Sequence, residues 1–549
     1  MTFPSRYQHV SGNLLAPRDA PPFTYSDGPV EDHIAEVVAN ARDCGVMSVE
    51  MLRAARDWPT KYHLSYTRSF LLRPLRHLLQ GKTVLELGAG CGALTRYLGE
   101  TAGRVVGLEG SLRRAGIAAS RCRDLANVTV VNDTIQELEL DEKFDVVTLI
   151  GVLEYARTFG PKVEKPEAAL LAAAKSFLKP GGHFLLAIEN QLGLKYLAGA
   201  REDHVGLPFF GVHDLYNATT PVTFGRQELL SLLRDAGYAT IEQLVPLPDY
   251  KFPVTVLYPA CFDGETPAVN VTPLIQNSYR TDFQKASDFS FSLEAATSAV
   301  ARNGLVRDLC NSLFFVASPQ PDNPACDAAW CVAHYGTRRA PEYAKETLFI
   351  REKDEIRVRR EYFDQERPRR EDGMVENILE NESYLPYPLY HDSLIPIINT
   401  RGWDVRTIAA WAKGWVDFLR AKAVNGRLRE ALLDATPLNC AVSPDGEYIF
   451  FDQEWAARTN RALPLQYMIF RGLFQSISWF ENVAPPADRT PLRIVVLIAA
   501  IMGRLDLPLE PEMLDECIRL EQEFQSQAVL MRPSKGDFSA RGLKIRSMA

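Results

Sequence analysis

The segment Val84-Leu-Glu-Leu-Gly-Ala-Gly-Cys-Gly-Ala-Leu-Thr-Arg-Tyr-Leu98 puts three glycines between an apolar run and an amphipathic stretch. Few folds accommodate that order. Glycine lets the chain turn sharply out of a strand and brings bare backbone against a ligand. The helix that follows aims its first N–H groups at an anionic part of that ligand. The segment therefore predicts the strand–turn–helix of a nucleotide-binding α/β fold, with Gly88, Gly90 and Gly92 at the turn.

The flanking pattern extends this reading. Apolar strands are expected at Thr83–Leu87, Arg104–Leu108, Val128–Val131, Phe144–Ile150 and His183–Ile188, and helices at Gly92–Leu98, Arg113–Leu125 and Pro166–Phe177. Strands apolar on both faces that alternate with helices imply a doubly wound, mostly parallel sheet. A helix at Arg226–Ala236 and strands at Thr240–Val245, Val254–Tyr258 and Ser312–Ala317 complete it. Residues 1–30 read as a loose arm, Leu64–Leu79 as one helix, and Pro319–Pro324 as a linker. Three domains follow: an arm with helices at 1–57, an α/β domain at 58–318, and an α+β domain at 319–549.

Composition excludes several classes. A charged fraction of 24% and a hydrophobic fraction of 46% suit a soluble globular protein, and a net charge of −8 argues against coating nucleic acid. The nine cysteines lack CxxC pairs, as expected of reduced thiols in a cytoplasm. No signal peptide or transmembrane segment is read. The apolar run Ile494–Met502 is half the length of a bilayer span, which needs about twenty residues, and reads as a buried helix. Any membrane association then comes through a partner or the surface.

Acidic positions sort the nucleotide ligands. GAGCGA also fits a dinucleotide fingerprint with Ala93 as its last small residue. Glu86, however, puts a carboxylate where dinucleotide folds keep an apolar residue. Glu109 lies twenty-one residues after Gly88, placed for ribose hydroxyls, and Asp133 ends the third strand, where an adenine amino group needs an acceptor. The runs FDVVTLIGVLEYA and LKPGGHFLLAIEN follow. In order and spacing these resemble the motifs of class I S-adenosylmethionine-dependent methyltransferases. The resemblance implies a Rossmann-like sheet in which Glu86 and Gly88 to Gly92 face the methionine part of S-adenosylmethionine. It further implies Glu109 on the ribose, Asp133 on the adenine, and Gly151 to Glu154 at the reactive end. A degenerate, inactive nucleotide fold is the alternative.

About 37 residues separate Ile188 from Arg226, long enough for a binding loop at the carboxyl edge of the sheet. Its aromatics (Tyr196, Phe209, Phe210, Tyr216) and polar groups (Glu189, Asn190, Lys195, Asp203, His204, His213) suit a saccharide acceptor or simply close a lid. His204 is the candidate general base for a hydroxyl acceptor, against a structural histidine. Upstream, Tyr62, His63 and Arg68 either fold over the cofactor or pack a helix on the sheet.

A second constellation lies at Asp434, Asn439 and Asp452. In kinases the first carboxylate accepts the substrate proton, while the Asn and second Asp hold Mg²⁺. The spacing resembles that of kinase-like phosphotransferases and implies ATP and Mg²⁺. There is no Gly-rich loop, Arg359 or Arg360 stands where the phosphate lysine belongs, and Lys345 is the nearby substitute, with Glu376 or Glu380 as partner. An active kinase and an inactive kinase-like module both remain open. The run IREKDEIRVRREYF reads as a solvated strand pair and Trp403, Trp411 and Trp415 as core. The order methyltransferase then kinase-like domain resembles proteins of bacterial lipopolysaccharide and capsule biosynthesis. That implies a glycan acceptor and glycan-assembly partners, in the cytoplasm and peripheral to the inner membrane. The alternatives are a non-catalytic adaptor in such a complex and a small-molecule O-methyltransferase of secondary metabolism.

Overall fold

The computed structural model describes residues 3–19, 23, 25–263, 269–283, 289–336, 339–458, 463–480, 482–529 and 542–547. The chain divides into two compact units. The first comprises Met1–Glu265, Asp282–Ala286 and Gly304–Ala333; the second comprises Thr266–Thr281, Ser287–Asn303 and His334–Ala549. The expected linker at 319–324 is therefore not a boundary. Asn323 donates to Gly181 O at 3.1 Å and to Ser318 Oγ at 3.0 Å, which holds that run within the first unit. Residues 266–281 and 287–303 join the second unit, where Gln276 donates to Glu294 O at 2.7 Å.

Among the described residues, the first unit is built on β1 (Tyr7–Ser11), β2 (Leu14–Pro17), β3 (Thr83–Leu87), β4 (Arg104–Glu109), β5 (Val128–Asn132), β6 (Phe144–Ile150), β7 (Leu178–Glu189), β8 (Thr240–Leu247), β9 (Thr255–Leu257) and β10 (Ser312–Ser318). They lie in the order β1-β2-β5-β4-β3-β6-β7-β10-β8-β9. Strands β2 to β7 pair in parallel, and β10 is antiparallel to both β7 and β8. Val84, Leu85, Val105, Val147, Leu185 and Phe314 are at most 1% exposed, so the sheet is covered on both faces, as its unbroken apolar runs require.

Two expectations fail here. Within the arm at 1–30, residues 7–17 are not loose: Leu14 and Leu15 of β2 pair with Val130 and Val131, and the β1–β2 hairpin extends the parallel edge. Its alternation was too short to register as a strand by pattern alone. Leu64–Leu79 is not one helix but the 3₁₀ turns Tyr66–Leu71 and Arg73–Leu75 followed by the helix Arg76–Leu79, because Pro74 cannot continue a helical hydrogen-bond ladder.

The second unit carries the antiparallel pair β12 (Lys345–Glu352) and β13 (Glu355–Tyr362), which the chain enters from β11 (Trp330–Tyr335). Helices dominate afterwards, chiefly Val405–Lys422, Leu465–Ile477, Ile494–Arg504 and Pro511–Ala528. Trp403, Trp411 and Trp415 are buried in their core, as are Ile494, Leu497, Ile498 and Ile501. No helix among the described residues is long and apolar enough to cross a membrane.

Candidate active site

The carboxyl ends of β3, β4, β6 and β7 open onto a cavity of about 630 Å³ in the first unit. Glu86, Gly88, Gly90, Glu109 and Asp133 line one end; Gly151, Glu154, Glu189, His204 and Lys251 line the other. The sequence-predicted groups thus converge, with one exception.

Gly92 does not line the cavity. It caps the helix Ala93–Thr101 at φ +81°, and a Cβ there would meet Ala118 Cα at 2.8 Å. Its glycine serves the close approach of that helix to Leu112–Arg121. Gly88, at φ +89°, leads the chain off β3, where a Cβ would stand 2.4 Å from Val152 Cγ2.

Glu109 is fixed by backbone donors: Gly90 N–H to Oε2 at 2.8 Å and Ser111 N–H to Oε1 at 2.9 Å. Asp133 accepts from the Tyr7 hydroxyl at 2.7 Å and from Arg6 at 2.8 Å, so the N-terminal hairpin orients it. Glu86 is buried and accepts from Thr95 Oγ1 at 2.6 Å; burial pushes its carboxyl up to about 7. Tyr25 and Asp27 reach the cavity, with the Arg114 guanidinium 4.9 Å from the Tyr25 ring and His63 3.1 Å from Asp27. Tyr62, His63 and Arg68 also line it.

The other end concentrates buried charge of both signs. Burial alone would raise the Glu189 carboxyl, but Lys251 and His204 hold it well below the usual range. Glu154 moves the opposite way, raised by burial and by its neighbour Glu189. Burial opposes a charge on His204, yet Glu189, Glu154 and Glu202 outweigh it and raise the imidazole to about 9. These carboxylates favour the protonated imidazole, which has no lone pair to offer, and so work against the expected general-base role. The long loop divides its residues. Asp203 and His204 line the cavity, whereas Lys195 is buried in pairs with Asp249 (3.6 Å) and Asp282 (3.5 Å). Asn190 donates to the carbonyls of Asp308 and Cys310, Tyr196 donates to Asp203, and Phe209, Phe210 and Tyr216 line a separate small recess. His213 stacks on Phe209 at 5.9 Å.

Sequence reasoning missed Lys251 and Tyr250, which sit between β8 and β9. The usable signal was a lysine inside an otherwise apolar run, Tyr250-Lys-Phe-Pro-Val254, where a buried cation demands an anionic partner.

In the second unit Lys345 pairs with Asp452 (3.4 Å) and Glu454, not with Glu376 or Glu380. Arg360 faces inward onto Asp452 at 3.0 Å, while Arg359 is exposed on Glu352. Asn439 Nδ2 donates to the Asp452 backbone carbonyl at 3.3 Å. Asp434 is buried and occupied: Trp455 N–H donates to Oδ2 at 2.9 Å and Arg471 lies 3.4 Å from Oδ1. Burial raises its carboxyl to about 6. Burial would also raise Asp452, but Lys345, Arg360 and Arg339 bring it down to about 2. Asn439 thus touches Asp452, which pairs with Lys345 and Arg360, while Asp434 pairs with Arg471.

Residues 61–243 match a methyltransferase-domain family. A ubiquinone biosynthesis O-methyltransferase of Paraburkholderia phytofirmans is 32% identical over 171 residues, spanning 30% of this chain and 67% of that protein. A cypemycin N-terminal methyltransferase of a Streptomyces species is 30% identical over 164 residues, 30% of this chain and 64% of that protein. The chain thus spans about two thirds of the length of each of these two relatives. The N-methyltransferase NodS of Bradyrhizobium japonicum in complex with S-adenosyl-L-homocysteine aligns at 18% identity and a TM-score of 0.25, covering 39% of this chain and 89% of that one.

Proposed function

This chain belongs to the S-adenosylmethionine-dependent methyltransferases, and from that membership we propose that it methylates an oxygen of a saccharide or saccharide phosphate. The cavity residues fit the cofactor: a bare glycine turn at Gly88 to Gly90, a carboxylate at the end of β4, and a second at Asp133. S-adenosylmethionine, when bound, supplies an electrophilic methyl group. Glu86 and the glycine turn hold its amino-acid part, Glu109 its ribose, and Asp133 its adenine. What the protein contributes beyond that is alignment and exclusion of water.

The observation that carries the acceptor reading is the charged far end of the cavity. Glu154, Glu189, Asp203, His204 and Lys251 offer donors and acceptors side by side, as a polyhydroxylated acceptor requires. A small aromatic acceptor is the second reading, favoured by the rings of Trp58, Tyr62, Tyr155 and Tyr250 along the same wall. Both assign an O-methyltransferase. For the second unit the proposal is a kinase-like module that recognises the acceptor or a glycan-assembly partner. The engaged state of Asp434 supports an inactive site, whereas the juxtaposition of Asn439, Asp452 and Lys345 supports binding of ATP and Mg²⁺. We place this work in the cytoplasm, in surface-polysaccharide assembly, on the order of the two domains.

Calorimetry with S-adenosylmethionine, followed by a labelled-methyl screen of saccharide, saccharide-phosphate and phenolic acceptors, tests the proposal. Label in saccharides alone supports it. Label only in phenols replaces it with the second reading, and absence of cofactor binding removes both.

A further inference from the structure

Besides Asp203 Oδ1 and Lys251 Nζ, three buried side-chain atoms at the acceptor end of the cavity have no hydrogen-bond partner: Glu154 Oε2, Glu189 Oε2 and His204 Nε2. They arrive from separate stretches, namely the turn after β6, the last residue of β7 and the long loop beyond it. One ligand atom from each residue lies within 4.8 Å of the other two, and His204 Nε2 stands 3.6 Å from Glu189 Oε2. Glu154 and Glu189 are each 2% exposed. A buried polar atom without a partner is costly, so three that converge point to a group that belongs among them.

The remaining atoms of two of these side chains are engaged from behind. Glu189 Oε1 accepts from the Tyr250 hydroxyl at 3.3 Å and pairs with Lys251. His204 Nδ1 meets the Tyr155 hydroxyl at 3.3 Å. Side chains tethered at the back with an open atom in front are the arrangement by which outer groups orient metal ligands. The geometry points to a divalent-cation site formed by Glu154, Glu189 and His204, whose open positions take oxygen atoms of the methyl acceptor.

The donor set supports that choice. One imidazole nitrogen with two carboxylate oxygens suits Mn²⁺ or Zn²⁺, and three protein ligands leave room for oxygens from elsewhere. Octahedral ligands at about 2.2 Å from a metal stand roughly 3.1 Å apart when adjacent and 4.4 Å when opposite, so a small inward movement of these atoms suffices. Binding displaces the proton carried by His204 Nε2. Lys251 does not repel the ion outright, because Asp203, 3.4 Å away, shares its charge with Glu189. The ion site stands on this geometry alone; its role toward the acceptor rests on the methyltransferase reading.

The test titrates the full chain, stripped with chelator, with Mn²⁺ or Zn²⁺ and follows binding by calorimetry and, for Mn²⁺, by electron paramagnetic resonance. The expected result is one ion per chain, with affinity reduced at least ~10-fold in Glu154→Gln and in His204→Gln. Thermal unfolding of each variant verifies that it is folded, and either variant alone suffices if the other is not. No uptake by the wild-type chain from millimolar metal overturns the site, as does equal affinity in the folded variants. S-adenosylmethionine titrated into the same stripped protein separates the two readings. Cofactor binding without ion uptake overturns the ion site only; ion uptake without cofactor binding removes the methyltransferase reading and leaves the ion site.

Discussion

The backbone N–H of Gly90 donates to Glu109 Oε2 at 2.8 Å, tying the turn after β3 to the last residue of β4. The carboxylate that would hold a ribose is thus also the group that shapes the glycine turn. Glu109→Ala removes this bond and the one from Ser111, and each hydrogen bond to a charged group contributes about 1.5–3 kcal/mol. S-adenosylmethionine affinity should fall by roughly ten- to a hundred-fold. Glu109→Gln, which keeps one acceptor oxygen, should lose less. Calorimetry on both variants measures the difference, and unchanged affinity in Glu109→Ala would contradict the site.

The carboxyl of Glu86, raised to about 7 by burial, gives a pH signature. An unfolded glutamate titrates near about 4.3. Between those values the native state holds a proton that the unfolded chain has lost. This group's contribution to stability is therefore full below the unfolded value and declines as pH rises to about 7. A cationic ligand beside Glu86 favours its ionised form, so cofactor binding should strengthen from pH 6 to 8 and release protons near neutrality. Calorimetry in buffers of different ionisation heat reads that release. Proton uptake, or none, would exclude Glu86 from the ligand's surroundings.

Gly88→Ala should abolish cofactor binding for two separable reasons, the positive φ and the 2.4 Å approach to Val152 Cγ2. Adding Val152→Ala relieves the clash but not the backbone strain, which costs about 1–3 kcal/mol. The double variant should regain part of the affinity. Full recovery would mean that φ imposes nothing here.

The N-terminal hairpin should matter to the adenine end. Tyr7→Phe and Arg6→Ala each remove a donor to Asp133 and should lower stability by about 1 kcal/mol, seen as a reduced Tm. Cofactor affinity should fall in parallel if Asp133 loses its orientation. Variants that melt and bind like the parent would reduce the hairpin to a mere edge.

Arg471 is buried between Glu521, at 2.9 Å, and Asp434, at 3.4 Å. Glu521→Ala leaves that guanidinium short of charge and should cost about 3–5 kcal/mol of stability in the second unit. Denaturant unfolding measures it, and a loss under 1 kcal/mol would show that Asp434 alone satisfies the arginine.

The parallel strands and the cofactor end of the cavity were legible because local chemistry dictates them. A glycine turn, an acidic strand end and doubly apolar runs each have few structural solutions. What resisted reading depends on partners far along the chain. Tyr7 and Leu14 become strand residues only because Asp133 and Val130 receive them, and the His204 imidazole is pushed up only because Glu189 and Glu154 stand beside it. Gly92 was ambiguous in the opposite way: a motif position shared with ligand-binding glycines also meets a packing demand, the close approach of Ala118. Lys251 was invisible because its three carboxylate neighbours, Glu189, Asp203 and Asp249, are scattered over sixty residues.

Strand β10 sits between β7 and β8, with Phe314 opposite Ala187 on one side and Leu244 on the other. Neither neighbour touches the other directly, so residues 312–318 act as the wedge that seals the sheet. A gene truncated near position 311 would encode every motif of the family match and yet leave two long apolar rims uncovered. Such a fragment should collect in inclusion bodies, whereas the full chain, which supplies β10 and the second unit that residues 266–281 and 287–303 join, stays in solution. No fragment that stops short of this late-arriving strand, some seventy residues beyond the end of the family match, closes the sheet.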